Sequence, residues 1–374
     1  MFLRHSLLAL PLLAASIAGH AAPQVDVIAT GLNNPRGLGF APNGMLYVAE
    51  AGSGGNGNCL PGPEGGDVCY GETGALTRVD PTGATASVRV VSGLPSLAGE
   101  GGFGGIGPHD VSFLGGGNGK LTIGLGQDGP LRVGLGAKSF LQGTLLQVNT
   151  SGKVKVLADL AGFETANNPV EGGADSDPYG VLALPSRTIV TDAGGNDLLE
   201  IRANGATRVL ATFPSVPVDA PPFLGLPPGT KIPMQAVPTT VVQGPDGAFY
   251  VGQLTGFPFP VGAANVYRVP ANGGTPEVYA SGFTNIIGIA FDASGTLYVL
   301  QIGNGLGQPL APPGKLIRVN SDGSQTVIYD QLFFPGGLAI GPDGAAYVTN
   351  FGIVPGPIPG AFPDGGTVLR ITLD

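Results

Sequence analysis

Short apolar runs alternate with turns bearing glycine or proline along almost the whole chain, and the runs recur in a fixed order. In each repeat an apolar strand leads into a tight turn and then a second strand that often ends in Tyr-Val. The turns read Pro42-Asn43-Gly44, Pro245-Asp246-Gly247, Ala293-Ser294-Gly295 and Pro342-Asp343-Gly344, with looser versions near Gly119 and Ser186. Proline presets φ and glycine accepts positive φ, so such triplets suit tight turns. The second strands follow as Leu46-Tyr47-Val48, Phe249-Tyr250-Val251, Leu297-Tyr298-Val299 and Ala346-Tyr347-Val348, with Thr122-Ile123 and Ile189-Val190 in the weaker copies. A third strand is the most regular. It reads Leu76-Thr77-Arg78-Val79, Leu145-Leu146-Gln147-Val148 and Leu198-Leu199-Glu200-Ile201, then Val266-Tyr267-Arg268-Val269, Leu316-Ile317-Arg318-Val319 and Val368-Leu369-Arg370-Ile371. The polar residue keeps one register throughout, as a period of two requires.

A fourth strand follows at 88–92, 154–158, 207–211, 277–280 and 326–330, while the sixth repeat runs out before its own. A fitting strand stands at the other end, at 25–29. The pattern therefore predicts an all-β fold, a six-bladed β-propeller with four strands per blade, whose last blade is closed by the N-terminal strand. A β-sandwich does not account for repeats with a permuted end. One propeller domain is expected over 22–374.

Connections between strands 1 and 2 and between strands 3 and 4 are short in every repeat. Those between strands 2 and 3 are long, at 51–73, 125–142, 252–263, 301–313 and 350–364, and so are the links into new blades at 94–107, 160–177 and 213–238. In a propeller both long classes emerge on one face, and long loops on a rigid scaffold are where binding sits. The proline-rich 213–238 segment is expected to pack over that face as a semi-rigid lid or rim.

Composition then narrows the class. Sixty-six Gly and 35 Pro in 374 residues would point to disorder if aliphatic residues were scarce, but the hydrophobic fraction is 43%. Charged residues make up 11% and the net charge is −9, which argues against nucleic acid as a partner. At the start, Arg4 and His5 precede an apolar run over 7–18 and small residues at Gly19, Ala21 and Ala22. This is the layout of a secretory signal over 1–21, and the run falls short of the roughly 20 apolar residues that span a bilayer. Secretion, or export to the periplasm, is expected, with no membrane span. Cys59 and Cys69 then read as a local disulfide. A monomer is expected.

Candidate chemistry is sparse. Beyond the signal the only histidine is His109. Residues just before each innermost strand should ring the channel mouth, which brings Arg36, His109, Asp110, Asp177, Tyr179 and Asn285 towards one small area. Their functional reading is a polar ligand or cation site, and their structural reading is the capping of strand ends. A second cluster comprises Glu164, Asn168, Glu171, Asp175 and Asp177, joined by Asp192, Asn196 and Asp197. Oxygen ligands in loops suit Ca²⁺, so Asp110, Asp175, Asp177 and Asp192 are the candidate metal ligands. No EF-hand spacing is present. The glycine-rich 99–107 stretch lacks the lysine and following helix of a phosphate-binding loop.

Several stretches carry a family resemblance. They are Asn34-Pro35-Arg36-Gly37, Gly107-Pro108-His109-Asp110-Val111-Ser112-Phe113, Asp192-Ala193-Gly194-Gly195-Asn196-Asp197, and Gln253-Leu254-Thr255-Gly256-Phe257-Pro258. On these residues the chain resembles the ScyD/ScyE family, secreted propellers named after genes of the scytonemin cluster. The resemblance implies the fold and export and carries over no catalytic residue. Three functions are then in play. The first is an exported binding or scaffold propeller, similar to NHL-repeat proteins, that takes a small molecule, glycan or protein on its long-loop face. The second is a Ca²⁺-dependent hydrolase resembling gluconolactonase-type propellers, with Asp110, Asp177 and Asn285 as ligands. The third resembles quinoprotein sugar dehydrogenases, with His109 as general base.

Overall fold

A computed structural model describes residues 22–63, 65–115, 118–170, 172–303 and 313–373. The signal read over 1–21 and the acidic Glu171 lie outside the described residues. Six antiparallel sheets form the predicted blades, five of four strands and the first of five. The innermost strands are Pro35–Phe40, Pro108–Leu114, Pro178–Ala183, Pro238–Gln243, Ile286–Phe291 and Gly337–Ile340. Each touches the next, and Gly337–Ile340 returns to Pro35–Phe40, so the ring is complete. Asp110 begins a set of latches across it. Val181 N–H donates to Asp110 Oδ2 at 2.9 Å, while the Thr122, Thr239 and Thr349 hydroxyls donate to the carbonyls of Tyr179, Ile286 and Arg36. Each of these joins one blade to its neighbour and satisfies backbone groups that the crowded centre hides from water.

The alternating apolar positions pack between blades. Tyr47, Leu76 and Val91 of blade 1 meet Val111, Leu121 and Leu146 of blade 2, and similar clusters fill the other junctions. At the closure, Ala29 and Leu32 join Leu46, Val48, Val79, Tyr347 and Val368. There the strand Val25–Leu32 pairs antiparallel with Gly366–Ile371, in the order expected for a permuted last blade. Asp26 faces Arg370 across that ladder.

The long-connection face is more ordered than a set of loops. In blade 1, strands Asp67–Val79 and Val88–Ala98 run on well past the blade, and the short strand Cys59–Pro61 adds to them. Cys59 and Cys69 sit opposite each other in that added ladder and are bonded, with Cα atoms 4.0 Å apart. Beneath lies a satellite core of Leu60, Tyr70, Leu97, Ile106, Leu125, Leu135 and Ala161, shared with blade 2. The 160–177 link opens with a helix, Leu160–Asn167, which a loop reading of that segment missed. Asp159 caps it through Gly162 N–H at 3.0 Å, and Asn168 ends it at φ 34°. The proline-rich lid is a β-hairpin, Val216–Asp219 with Lys231–Met234. Its base is fastened to the blade-4 connection by bonds from Leu254, Thr255 and Gly256 to Val237, Ala236 and Gln235.

Removing residues 22–32 takes away the closing strand together with fully buried Leu32, whose burial alone stabilises by about 2 kcal/mol, and bares the Gly366–Ile371 edge. The shortened protein should aggregate or melt far below a chain that begins at residue 22 in calorimetry with light scattering. A monomer with an unchanged melting temperature contradicts the closure.

Candidate functional site

The innermost strands approach so closely that side chains are excluded from much of their inner face. A Cβ on Gly37 would lie 2.1 Å from Asp110 Oδ1, and one on Gly337 would lie 2.7 Å from Gly37 Cα. What remains on the axis is a cavity of about 30 Å³, lined by Gly37, His109, Asp110, Tyr179, Thr239, Thr240 and the strands opposite. That is room for about one water molecule.

Of the sequence-predicted mouth residues, His109, Asp110 and Tyr179 line this cavity, with Asp177 next to His109. The His109 ring stacks on Tyr179, with centroids 4.3 Å apart and planes at 32°. Asp177 Oδ1 lies 3.6 Å from His109 Nδ1 and accepts a hydrogen bond from Leu125 N–H at 3.1 Å. Asp110 accepts from Val111 and Val181 N–H and so staples blade 2 to blade 3. Arg36 stands beside them, half-buried, and its Nη2 donates to the Gly105 carbonyl at 2.8 Å. Asn285 is the turn residue before strand Ile286–Phe291, has φ 50°, and its Oδ1 accepts from Thr255 in the blade-4 connection. It does not line the cavity.

Burial dominates the electrostatics. His109 is 2% exposed, and desolvation, helped by the Arg36 charge, pushes its pKa down to about 3. Burial pushes Asp110 up to about 7 against its two backbone donors. Asp177 is raised to about 8 by burial and by the charges of Asp192 and Asp175, with Arg36 opposing. The contact between His109 and Asp177 is thus between groups driven towards their neutral forms and is not an ion pair.

The second predicted cluster is separate from the axis. Asp175, Asp192, Asp197 and Glu164 gather where the helix Leu160–Asn167 meets the Asp192–Asp197 turn of blade 3. Of the candidate metal ligands, Asp110 belongs to the channel, Asp175 and Asp192 to this cluster, and Asp177 lies between the two. Among the described residues no three Asp, Glu, His or Cys side chains are arranged to hold a metal ion.

The sequence offers Phe257 and Phe259 as apolar contacts beside the channel mouth but does not reveal the other aromatic groups on the long-connection face. Phe333 packs on Phe334, Phe351 and Phe362, at centroid distances of 5.1, 5.2 and 5.8 Å, and Phe103 joins through Phe362. Phe257 packs on Phe223 of the lid and on Phe259. Among the described residues the exposed aromatics are Phe103, Phe140, Phe223, Phe257 and Phe333 on these connections, and Tyr279 on an outer strand. These residues sit in irregular loops with no period to reveal them. On the tight-turn face the closure seam holds an open depression of about 570 Å³, where Arg370 is already paired with Asp343 at 2.7 Å.

No protein-family model matches the sequence, and no curated protein matches it. Solved structures do resemble the fold. A protein of unknown function from Bacteroides thetaiotaomicron superposes with a TM-score of 0.55 at 8% identity, over 94% of this chain and 76% of that one. A glucose dehydrogenase matches with a TM-score of 0.53 at 14% identity, over 94% and 100%. A glucose-dehydrogenase-type oxidoreductase of Thermus thermophilus gives 0.51 at 18%, also over 94% and 100%. At such identities the likeness extends to the six-bladed fold alone. Among the described residues no helix is long and apolar enough to cross a membrane.

Asp110 generates a pH prediction. Its folded pKa exceeds its unfolded value of 3.8, so its contribution to stability is complete below about pH 4 and is lost as pH rises through 7. Asp110→Asn removes that titration and one of the two N–H bonds, at a cost of about 1–2 kcal/mol. The melting temperature of the native chain should exceed that of the variant most at pH 4.5, and the gap should narrow towards pH 8. A gap that is constant or widens with pH contradicts the assignment.

Proposed function

We propose that the protein is an exported binding or scaffold propeller that takes its ligand or partner on the long-connection face, above the channel rather than within it. The observation that carries this reading is the contrast on the axis. The channel closes to about 30 Å³ over buried polar groups, while the surrounding connections present Phe103, Phe223, Phe257 and Phe333 to solvent. Apolar and aromatic groups near a few polar ones are what ligand and partner sites require. Buried His109 and the half-buried Arg36, Asp110, Asp177 and Tyr179 then serve as the floor under the loops, and Asn285 as a turn residue beside them.

The disulfide fits an oxidising compartment, in keeping with export directed by residues 1–21 and with the resemblance to ScyD/ScyE proteins. A monomer accords with a ring that leaves no sheet edge unpaired at its closure. Hydrolase or dehydrogenase chemistry would need a substrate to reach His109, which is 2% exposed.

Thermal-shift screening of the mature protein against soluble oligosaccharides, sugar lactones and small metabolites tests the proposal. A binder should lose at least about tenfold in affinity, roughly 1.4 kcal/mol, on Phe257→Ser or Phe333→Ser. It should be unaffected by Arg370→Ala on the opposite face. Lactone turnover abolished by Asp177→Asn would replace this reading with the hydrolase one, and binding lost only with Arg370→Ala would place the site on the tight-turn face.

A further inference from the structure

The acidic cluster of blade 3 is not absorbed by the binding face. Asp192 and Asp197 stand directly opposite each other at the end of the ladder between strands Arg187–Asp192 and Asp197–Arg202. Like charges in directly paired positions repel. The two carboxylates are treated unequally by the fold. Asp192 accepts from the Ser176 hydroxyl and from the N–H groups of Asp177 and Gly195, at 2.7, 2.6 and 3.0 Å. Asp197 is fully buried, and among the described residues neither of its carboxylate oxygens has a hydrogen-bond partner.

The turn between them is shaped around other carboxylates. A Cβ on Gly195 would lie 3.2 Å from Glu164 Oε2 and 3.4 Å from Asp192 Cγ, and one on Gly194 would lie 2.8 Å from Asp175 Oδ1. Asp175 Oδ1 is itself buried without a partner. The side-chain charges that bear on Asp197 are those of Asp192 and Glu164, and those that bear on Glu164 are Asp192, Asp175 and Asp128. A buried carboxylate with no donor and no cationic neighbour is among the most costly groups a fold can carry.

We propose that this crevice between the helix Leu160–Asn167 and the Asp192–Asp197 turn binds a Ca²⁺ ion through the carboxylates of Asp197 and Glu164. Two acids suffice because Ca²⁺ takes about six to eight oxygens in a tolerant geometry, and carbonyls and water complete the shell. All the donors are hard oxygens, which excludes a site for a thiophilic metal. Asp192, held by its three donors, positions the turn, and Asp175 adds negative charge at the rim. The ion replaces the missing donors of Asp197 and locks the blade-2 helix to the blade-3 turn on the long-connection face.

The test uses mature protein stripped with EDTA and desalted, titrated with CaCl₂ by calorimetry and followed by thermal melting. About one Ca²⁺ per chain should bind, and the melting temperature should rise with Ca²⁺ as linkage requires. Asp197→Asn and Glu164→Gln should each abolish the rise. In EDTA, Asp197→Asn should melt no lower than the native chain, because a neutral isostere replaces an unpartnered buried charge. Asp110→Asn should keep the full Ca²⁺ response, which separates this site from a metal in the channel. No response to Ca²⁺ in the native chain overturns the proposal. So does a response that survives the Asp197→Asn/Glu164→Gln double variant or one lost with Asp110→Asn alone. Asp197→Asn melting well below the native chain in EDTA would show the carboxylate to be a structural group, and also contradicts it.

Discussion

The pairing of Val25–Leu32 with Gly366–Ile371 joins strands from opposite ends of the chain, and the closed ring depends on it. Each blade buries its apolar faces only against its two neighbours. Without the pairing, the last blade would offer a bare edge, and the cluster of Leu32, Leu46, Val48 and Val368 would lose a wall. The innermost strands can then press together as closely as Gly37 and Gly337 allow, because no blade can rotate outward. The narrow axis, with a cavity of about 30 Å³, is a consequence of closure.

That constraint divides the labour between the faces. On one side the short turns around Gly44, Gly247 and Gly344 have positive φ and are closed tightly on themselves. On the other, connections of very different length interlock through the bridges Leu97–Ile106, Gln127–Ser176 and Asn33–Pro355. The disulfide and its satellite core stiffen the blade-1 extension, and the lid hairpin is fastened at its base. The loops are therefore surfaces with their own packing, able to hold Phe257 and Phe333 in fixed positions at the solvent boundary.

The strand repeats and the permuted closure were legible because alternation and turn chemistry are local and repeat in the sequence. Third strands such as Leu198-Leu199-Glu200-Ile201 announce their register through one polar residue. Glu200 proves to be buried, and its pKa is lowered to about 2 by its bonds to Arg208 and Arg187. The site was only partly legible. Convergence of His109, Asp110, Asp177 and Tyr179 follows from the fold, whereas their burial depends on loops whose packing has no period. Asn285 stands just before its strand, as read, but in the left-handed turn position shared by Asn34, Val237 and Phe334, two residues ahead of the position that lines the cavity in Thr239, Ile287 and Gly336. The helix Leu160–Asn167 escaped because it is short and rests on the Asp159 cap rather than on an amphipathic pattern.

Native-state hydrogen exchange tests the central claim, that one pairing closes a ring which then holds as a unit. Exchange is followed at increasing denaturant for the protected amides of Val25–Leu32 and of the adjoining strands Gly366–Ile371 and Ala346–Asn350. The account predicts that the closing strand merges into the same opening as its neighbours, with the same denaturant dependence. A closing strand that exchanges through its own low-energy opening, while the other two keep full protection, would contradict it.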